Sequence, residues 1–205
     1  MAVRGKKQGN IFDDPRYQDF VDRYHADPLK FAIECTGFIP SGDQIDLFQA
    51  MRCENARVSV VSGTGTGKTA AFARVALWHL LCHPVAIYEG KIEIGSNTYI
   101  GAPVVQQVAN GVWKERQDTR LQIANGPHAW INDYYEITKT MVYVKGYESQ
   151  WFINQLALQP GQATSIAGKH RYMQLIIVDE ASGVSDKHFD VINGTQTQGA
   201  NRTLL

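Results

Sequence analysis

The sequence lacks the features that mark several special classes of protein. It has three cysteines, an odd number, and no Cys-x-x-Cys pair, so neither a disulfide framework nor a zinc ribbon is indicated. No apolar run reaches the roughly 18 residues of a transmembrane helix. The basic residues near the N-terminus are not followed by the apolar segment of a secretory signal. A reducing compartment without membrane contact is the simplest interpretation.

The sequence also has no excess of positive or negative charge. Lys and Arg total 20, Asp and Glu total 20, and the formal net charge is zero. This balance disfavours a strongly basic nucleic-acid-binding module, although it is compatible with a local basic patch. With 205 residues, 44% of them hydrophobic, the chain is long and apolar enough for a globular domain with a core.

The chain divides into a helical beginning and an alternating remainder. Asp14-Pro15 and Asp27-Pro28 are typical helix starts, and Ser41 opens a third helix. Strands are predicted at 58–61, 98–100 and 175–178, long helices at 67–82 and 104–123, and an antiparallel pair at 134–144 and 151–158. Alternating strands and helices predict an α/β fold with a mainly parallel sheet flanked by helices. We expect an N-terminal tail and helical subdomain at 1–40 and the core at 41–205.

A glycine-rich segment follows the first predicted strand and opens a helix. Its sequence is Ser62-Gly63-Thr64-Gly65-Thr66-Gly67-Lys68-Thr69. Glycines allow successive backbone N–H groups to surround a phosphate, and the helix N-terminus adds partial positive charge. In such a loop the lysine reaches the β- and γ-phosphates and the last hydroxyl ligates Mg²⁺, which assigns those roles to Lys68 and Thr69. Ser62 stands where the strict pattern has glycine, a minor departure. The alternative is a glycine-rich turn without a ligand.

Two acidic residues, Asp179 and Glu180, come directly after the strand predicted at 175–178. A buried parallel strand delivers its carboxyl end to the ligand crevice of the sheet. Asp179 would hold the magnesium, directly or through water, and Glu180 would activate the attacking water as general base. The adjacent glutamate groups the chain with the hydrolytic P-loop NTPases of the additional-strand type. The alternative, an ordinary solvated turn, is disfavoured by the phosphate loop upstream.

From about residue 40 onwards, the chain resembles the ATPase domain of the large terminase subunit of tailed bacteriophages. The similar stretches are the phosphate loop, Ile100-Gly101-Ala102-Pro103 with Gln106, Gln107, Trp113, Lys114 and Glu115, then Ala167-Gly168-Lys169-His170, and residues 175–182. The phosphate loop and the acidic pair are shared with helicases. The glutamine-rich stretch with Trp113 and the Gly-Lys-His stretch favour terminase.

The resemblance implies an ATP- and Mg²⁺-dependent motor that moves double-stranded DNA into a procapsid in the cytoplasm of the bacterial host. Its implied partners are DNA, the small terminase subunit and the portal protein, with a homo-oligomeric ring in the full-length motor and no membrane. The alternatives are a helicase-type ATPase, which would continue into a second similar domain, and an inactive nucleotide-binding prophage remnant.

The resemblance also implies elements beyond Leu205, namely a coupling motif and a nuclease domain. We therefore expect these residues by themselves to hydrolyse ATP slowly and neither to cut nor to translocate DNA. The family needs a positive charge at the γ-phosphate, for which Arg116, Arg120 and Arg171 are candidates, although each taken singly is better interpreted as a solvated surface arginine.

Gln44 has two interpretations. By resemblance it matches the glutamine that reads adenine ahead of the phosphate loop, while Ser41-x-x-Gln44 is also a capping box for a helix. Both stay open at this point. His79, Cys82 and His83 have the spacing of metal ligands on a helix, but the surrounding apolar residues favour a core or cap role.

Overall fold

The computed structural model describes residues 9–61, 66–104, 108, 111–159 and 170–205. The α-helices in these residues are α1 Pro15–Tyr24, α2 Pro28–Thr36, α3 Gly42–Ala50, α4 Lys68–Cys82, α5 Val112–Ala124 and α6 Asp186–Thr195. The strands are β1 Arg57–Val58, β2 Val85–Tyr88, β3 Lys91–Ile94, β4 Asn97–Ala102, β5 Tyr135–Ile137, β6 Met141–Val144, β7 Phe152–Ala157, β8 Gln174–Val178 and β9 Arg202–Leu204. Short 3₁₀ helices cover Ile11–Asp13, Ala129–Asp133 and Ala181–Gly183.

The main sheet confirms the predicted α/β fold. Its strand order is β1-β9-β8-β4-β7-β6-β5, parallel from β1 to β7 and antiparallel from β7 to β5. β9 lies between the strand that precedes the phosphate loop and the strand that precedes the acidic pair. This is the inserted strand after which the additional-strand NTPases are named, so the predicted subclass is also confirmed.

The N-terminal helices begin at the two predicted Asp-Pro pairs. The carboxylate of Asp14 accepts a hydrogen bond from the Arg16 N–H, and that of Asp27 from the Lys30 N–H, each at 3.0 Å. Both carboxylates satisfy backbone donors that a helix start leaves unpaired. α1 and α2 bury their apolar faces in the same hydrophobic cluster as α4. The domain division at residue 40 stays a prediction.

Helix α4 is the most deeply buried helix of the described residues. Its apolar residues run nearly all round, as the sequence predicted, and every residue from Ala71 to Cys82 is buried. α4 packs against helices α1, α2, α3 and α5 and against strands β4, β7 and β8. Such enclosure fixes the direction of the helix, and therefore the place of the residues at its N-terminus.

The C-terminal end of α4 is held by side chains from other parts of the chain. A helix leaves its last four carbonyl groups without partners inside the helix, and burial without partners would be unfavourable. All four are satisfied here. The pairs are Ser96 Oγ to His79 O at 2.7 Å, Trp151 Nε1 to Leu80 O at 2.6 Å, Tyr17 Oη to Leu81 O at 2.9 Å, and His25 Nδ1 to Cys82 O at 2.8 Å.

The first predicted strand is shorter and less buried than expected. β1 covers two residues, and Val61, predicted as its last buried residue, is 97% exposed. Parallel pairing continues past the strand, since Val60 N–H donates to Leu205 O and Leu205 N–H donates to Val58 O. In the described part of the chain β1 pairs with β9 alone, so it lies at a sheet edge and its residues are covered from one side only.

The antiparallel pair predicted at 134–144 and 151–158 is only partly correct. β6 and β7 do pair antiparallel, but β7 also pairs in parallel with β4 along its whole length and is a strand of the main sheet. The hairpin of β2 and β3 was missed. Its turn residues Glu89 and Gly90 both have positive φ, 47° and 74°, as a tight hairpin turn requires. Its outer face carries exposed Ile87 and Ile92, so alternating polarity does not mark burial here.

The described residues agree in part with the helix predicted at 104–123. Val104 lies in a bend, Val108 is helical, and α5 runs from Val112 to Ala124. Residues 105–107 and 109–110 lie outside the described residues. None of the helices in the described part of the chain combines the length and the apolar character that a membrane span requires.

The buried histidines of α4 predict a loss of stability in acid. Burial lowers the pKa of both His79 and His83 well below the ordinary value, assisted by the positive charge of Arg202. Below about pH 6.5 the unfolded chain then binds more protons than the folded chain. The free energy of unfolding therefore decreases as the pH is lowered, by up to about 1.4 kcal/mol per pH unit for each histidine.

The variant His83→Leu is expected to have a shallower acid slope. It removes one of these groups together with two ring nitrogens that lack hydrogen-bond partners among the described residues. Urea unfolding at pH 7.5 and 5.5 measures the slope, with the exposed His170→Leu as control. An equal slope in wild type and His83→Leu would show that His83 does not control acid stability.

Candidate nucleotide-binding site

A cleft of about 400 Å³ opens where β1, β8 and β9 end and α4 begins. Lys68 lines it from the start of α4, and Asp179 and Glu180 line it from the residues after β8. Parallel strands joined by crossovers bring their carboxyl ends to the same edge of a sheet, which explains how distant stretches of sequence meet here. The structure therefore brings the predicted lysine and the predicted acidic pair into one space.

The start of α4 supplies positive potential to this cleft. Gly67 precedes the helix with φ of 74°, a left-handed conformation that glycine adopts without strain. Lys68 and Thr69 are the first two helical residues and are half-buried. The N–H groups of a first turn have no partners within the helix and favour anions. Of the predicted loop, Thr66 to Thr69 are described, whereas residues 62–65 lie outside the described residues.

Asp179 is buried at the base of the cleft, only 7% exposed. Its N–H donates to Gly101 O at 2.9 Å, and its Oδ1 accepts the Glu180 N–H at 3.1 Å. Burial, then the negative charge of Glu180, raises the pKa of the Asp179 carboxyl, while that hydrogen bond and the charge of Lys68 act in the opposite direction. A second positive charge nearby would stabilise the ionised form of this carboxylate. A bound cation would supply such a charge, so Asp179 suits the role of a cation ligand.

Glu180 is exposed at the mouth of the cleft and has an unusual backbone. Its φ of 55° and ψ of 43° are left-handed, a conformation that a residue with a Cβ adopts at a cost of about 1–3 kcal/mol. Gly183 N–H donates to Glu180 O at 3.0 Å in the turn that follows. Backbone strain of this kind clusters at functional sites, because the surrounding structure must hold it. Sequence reasoning located the glutamate but not its strain.

Gln44 lies against the described end of the phosphate loop. Its Oε1 accepts the Ser41 N–H at 2.9 Å, as a capping box requires, so that interpretation is confirmed. Its Nε2 donates to Thr66 O at 3.2 Å and to Gly67 O at 3.0 Å. Adenine reading stays a prediction. The two bonds to the loop were not predicted, because they join residues that only the tertiary fold brings together.

One of the three candidate arginines differs clearly from the solvated residue expected. Arg116 is fully buried, with its guanidinium over the Trp113 ring and without a hydrogen-bond partner among the described residues, and burial lowers its pKa to about 8. Arg120 Nη2 donates to Asn132 O at 3.4 Å, and Arg171 Nη2 donates to Gly95 O at 3.3 Å. The expectation of a solvated arginine is therefore wrong for Arg116, because α5 packs it into the core.

The described residues contain no cluster of three or more His, Cys, Asp and Glu side chains arranged to hold a metal. The preference for a core role of His79, Cys82 and His83 agrees with their complete burial. The buried carboxylate of Asp179 still suits Mg²⁺, which is commonly held by one or two carboxylates together with substrate phosphates.

Comparison with known proteins gives the family context of this cleft. No protein-family model matches the chain. The probable terminase large subunit of Enterobacteria phage P7 is 31% identical over 193 residues, which is 94% of this chain and 37% of that protein. The chain is a relative of the phage large terminases. The resemblance seen in the sequence is thereby confirmed, and the chain spans little more than a third of this terminase.

Solved terminase structures share the fold. The large terminase ATPase domain of Thermus phage P74-26 superposes with a TM-score of 0.59 at 16% identity, covering 87% of this chain and 69% of that one. The HK97 bacteriophage large terminase gives 0.57 at 18% identity, covering 90% of this chain and 37% of that one. At these identities the likeness shows the fold alone, that of a terminase ATPase domain.

The raised pKa of Asp179 predicts that Asp179→Asn stabilises this terminase relative. A raised carboxyl pKa disfavours folding once the pH exceeds it, and the penalty disappears as the pH falls through it. The asparagine keeps an oxygen for the Glu180 N–H and removes the charge. We expect the free energy of unfolding to rise by about 1 kcal/mol at pH 7, a size typical of a single stabilising substitution.

Urea unfolding at pH 7 and pH 4 measures this gain, with the exposed Asp190→Asn as control. The gain is expected to shrink at the lower pH. A destabilised Asp179→Asn protein at pH 7 would contradict the burial argument.

Proposed function

We propose that the chain is the ATPase domain of a viral or prophage DNA-packaging motor, which couples ATP hydrolysis to the translocation of double-stranded DNA into a procapsid. The observation that carries this proposal is the cleft shared by Lys68 and the Asp179–Glu180 pair, in a chain related to phage large terminases. The motor activity belongs to the proposal, since the chain spans 37% of its relative.

Nucleotide binding would use the loop at residues 62–67 and the start of α4. Backbone N–H groups there would surround the phosphates, and Lys68 would neutralise the β- and γ-phosphates. Thr69 and Asp179 would hold Mg²⁺, which supplies positive charge to the phosphates when bound. The fit rests on the buried Asp179 carboxylate, whose pKa is raised by burial and by the neighbouring Glu180 charge.

Hydrolysis would depend on Glu180. Its position at the mouth of the cleft, next to the buried Asp179, leaves its carboxylate accessible to a water molecule. There it would orient the water and accept its proton as general base. The left-handed backbone of Glu180 would set the direction in which its side chain leaves the chain, and so would help to orient the carboxylate.

The terminase relatives favour the motor over the alternatives. A helicase-type ATPase would share the loop and the acidic pair, but the chain's similarity is to large terminases. An inactive remnant would not be expected to keep Lys68, Asp179 and Glu180 together in one cleft. Duplex DNA, the small terminase subunit, the portal protein, a ring assembly and a location in the host cytoplasm are proposed from the relationship alone.

Lys68→Ala is expected to weaken binding of Mg-ATP roughly 100-fold, because it removes a charged hydrogen-bond donor from the phosphates. Isothermal titration calorimetry measures the affinity. Lys187→Ala, which removes an exposed lysine from α6, serves as the matched control. An affinity in Lys68→Ala equal to that of the control would show that this loop does not hold phosphates.

Glu180→Gln is expected to leave Mg-ATP affinity unchanged and to lower kcat about 100- to 10,000-fold, since only the proton acceptor is lost. Phosphate release measures turnover, with the exposed Glu54→Gln as control. An equal loss of affinity and turnover would make Glu180 a structural residue. Repeating the assay with duplex and single-stranded DNA separates the functions, because stimulation by single strands alone would favour the helicase-type alternative.

A further inference from the structure

The side chain of Gln44 joins the start of α3 to the end of the phosphate loop. Its Oε1 accepts from Ser41 N–H, and its Nε2 donates to the carbonyl oxygens of Thr66 and Gly67, at 2.9, 3.2 and 3.0 Å. A glutamine amide has one oxygen and one NH₂ group, and both are thus engaged with the protein's own backbone. A base contact through the NH₂ group would have to give up the bonds to the loop.

The orientation of the two loop carbonyls, Thr66 O and Gly67 O, fixes the orientation of the next N–H groups, which could bind phosphate. In a planar trans peptide the C=O and N–H bonds point in opposite directions. Holding Thr66 O and Gly67 O towards Gln44 therefore turns the N–H groups of Gly67 and Lys68 away from it. Gly67 O also accepts the Ala71 N–H at 3.2 Å, so the same carbonyl begins the hydrogen-bond ladder of α4.

The Gln44 amide lies close against Gly67. A Cβ built on Gly67 would lie 2.6 Å from Gln44 Nε2, less than van der Waals contact allows. Glycine at this position thus serves two needs, the positive φ and the close approach of the amide. Gln44 is half-buried and belongs to a helix whose Leu47 and Phe48 are anchored in the core, so its amide is presented from a fixed support.

We propose that Gln44 is a positioning residue that fixes the peptide groups of Thr66 to Lys68 for phosphate binding, independently of the base. This inference rests on the proposed nucleotide-binding function. It assigns to Gln44 an effect on the phosphates through the loop backbone, where the sequence resemblance implied contact with adenine. If so, loss of the Gln44 amide weakens the binding of every polyphosphate ligand by a similar factor.

The test is Gln44→Glu, titrated with Mg²⁺ complexes of ATP, GTP and inorganic tripolyphosphate. Glutamate keeps the oxygen that accepts the Ser41 N–H, as in the standard capping box, but removes the NH₂ donor and faces two carbonyls with a charge. We expect the affinity for all three ligands to fall about tenfold, the loss that corresponds to about 1.4 kcal/mol. A loss confined to ATP would overturn the proposal in favour of adenine reading, and unchanged affinities would overturn it as well.

Gln49→Glu is the matched control, because it adds the same charge at an exposed position of the same helix. Comparing titrations at about 0.1 M and about 1 M ionic strength tests for long-range repulsion, since the Debye length falls from about 10 Å to about 3 Å. The tenfold loss is expected to persist at high salt. Its disappearance there would show that charge alone, and not the lost donor, weakened binding.

Hydrogen exchange separates this proposal from the proposed function. The Ala71 amide, which donates to Gly67 O, is expected to exchange faster in Gln44→Glu than in Gln49→Glu, without any ligand present. Wild-type protein that binds none of the three ligands would contradict the nucleotide-binding function and leave the exchange result to decide the role of Gln44. Equal Ala71 exchange in the two variants would overturn the positioning role.

Discussion

The burial of α4 is the constraint on which the rest of the structure depends. The helix is enclosed by four other helices and three strands, and its last four carbonyls are each bonded by a side chain from another part of the chain. A helix held in this way cannot slide or rotate without breaking several buried hydrogen bonds. Because Lys68 begins this helix, core packing fixes its position relative to the strand ends that carry the acidic pair.

The cleft concentrates features that oppose folding. Asp179 is a buried carboxylate next to a second carboxylate, and Glu180 has a left-handed backbone. Neither arrangement would be retained for stability alone, since a neutral side chain or a glycine would be more favourable at each place. In the proposed function, a bound cation would give the Asp179 charge a partner, and the left-handed backbone would orient the Glu180 carboxylate. The core around α4 offsets the cost.

Local patterns predicted a large part of the fold. The Asp-Pro starts of α1 and α2, the apolar circumference of α4 and the apolar strand β8 each carry a signal within a few residues. The predictions failed where a partner decides the outcome. β1 is exposed because it lies at an edge, and β7 joins the main sheet because β4 pairs with it. Neither fact is written in the residues of the strand itself.

The sequence by itself determined the candidate residues of the site and the family resemblance: a glycine-rich loop with Lys68 and Thr69, two acidic residues after an apolar strand, and a resemblance to terminases. These are local signals, because a phosphate loop and a strand end are built from neighbouring residues. The tertiary structure alone decided that Lys68 and Asp179 share a cleft, that Arg116 is buried and that Gln44 bonds the loop. The cleft and the Gln44 bonds join residues distant in the chain, which only the packing of α3, α4 and β8 around one core brings close in space.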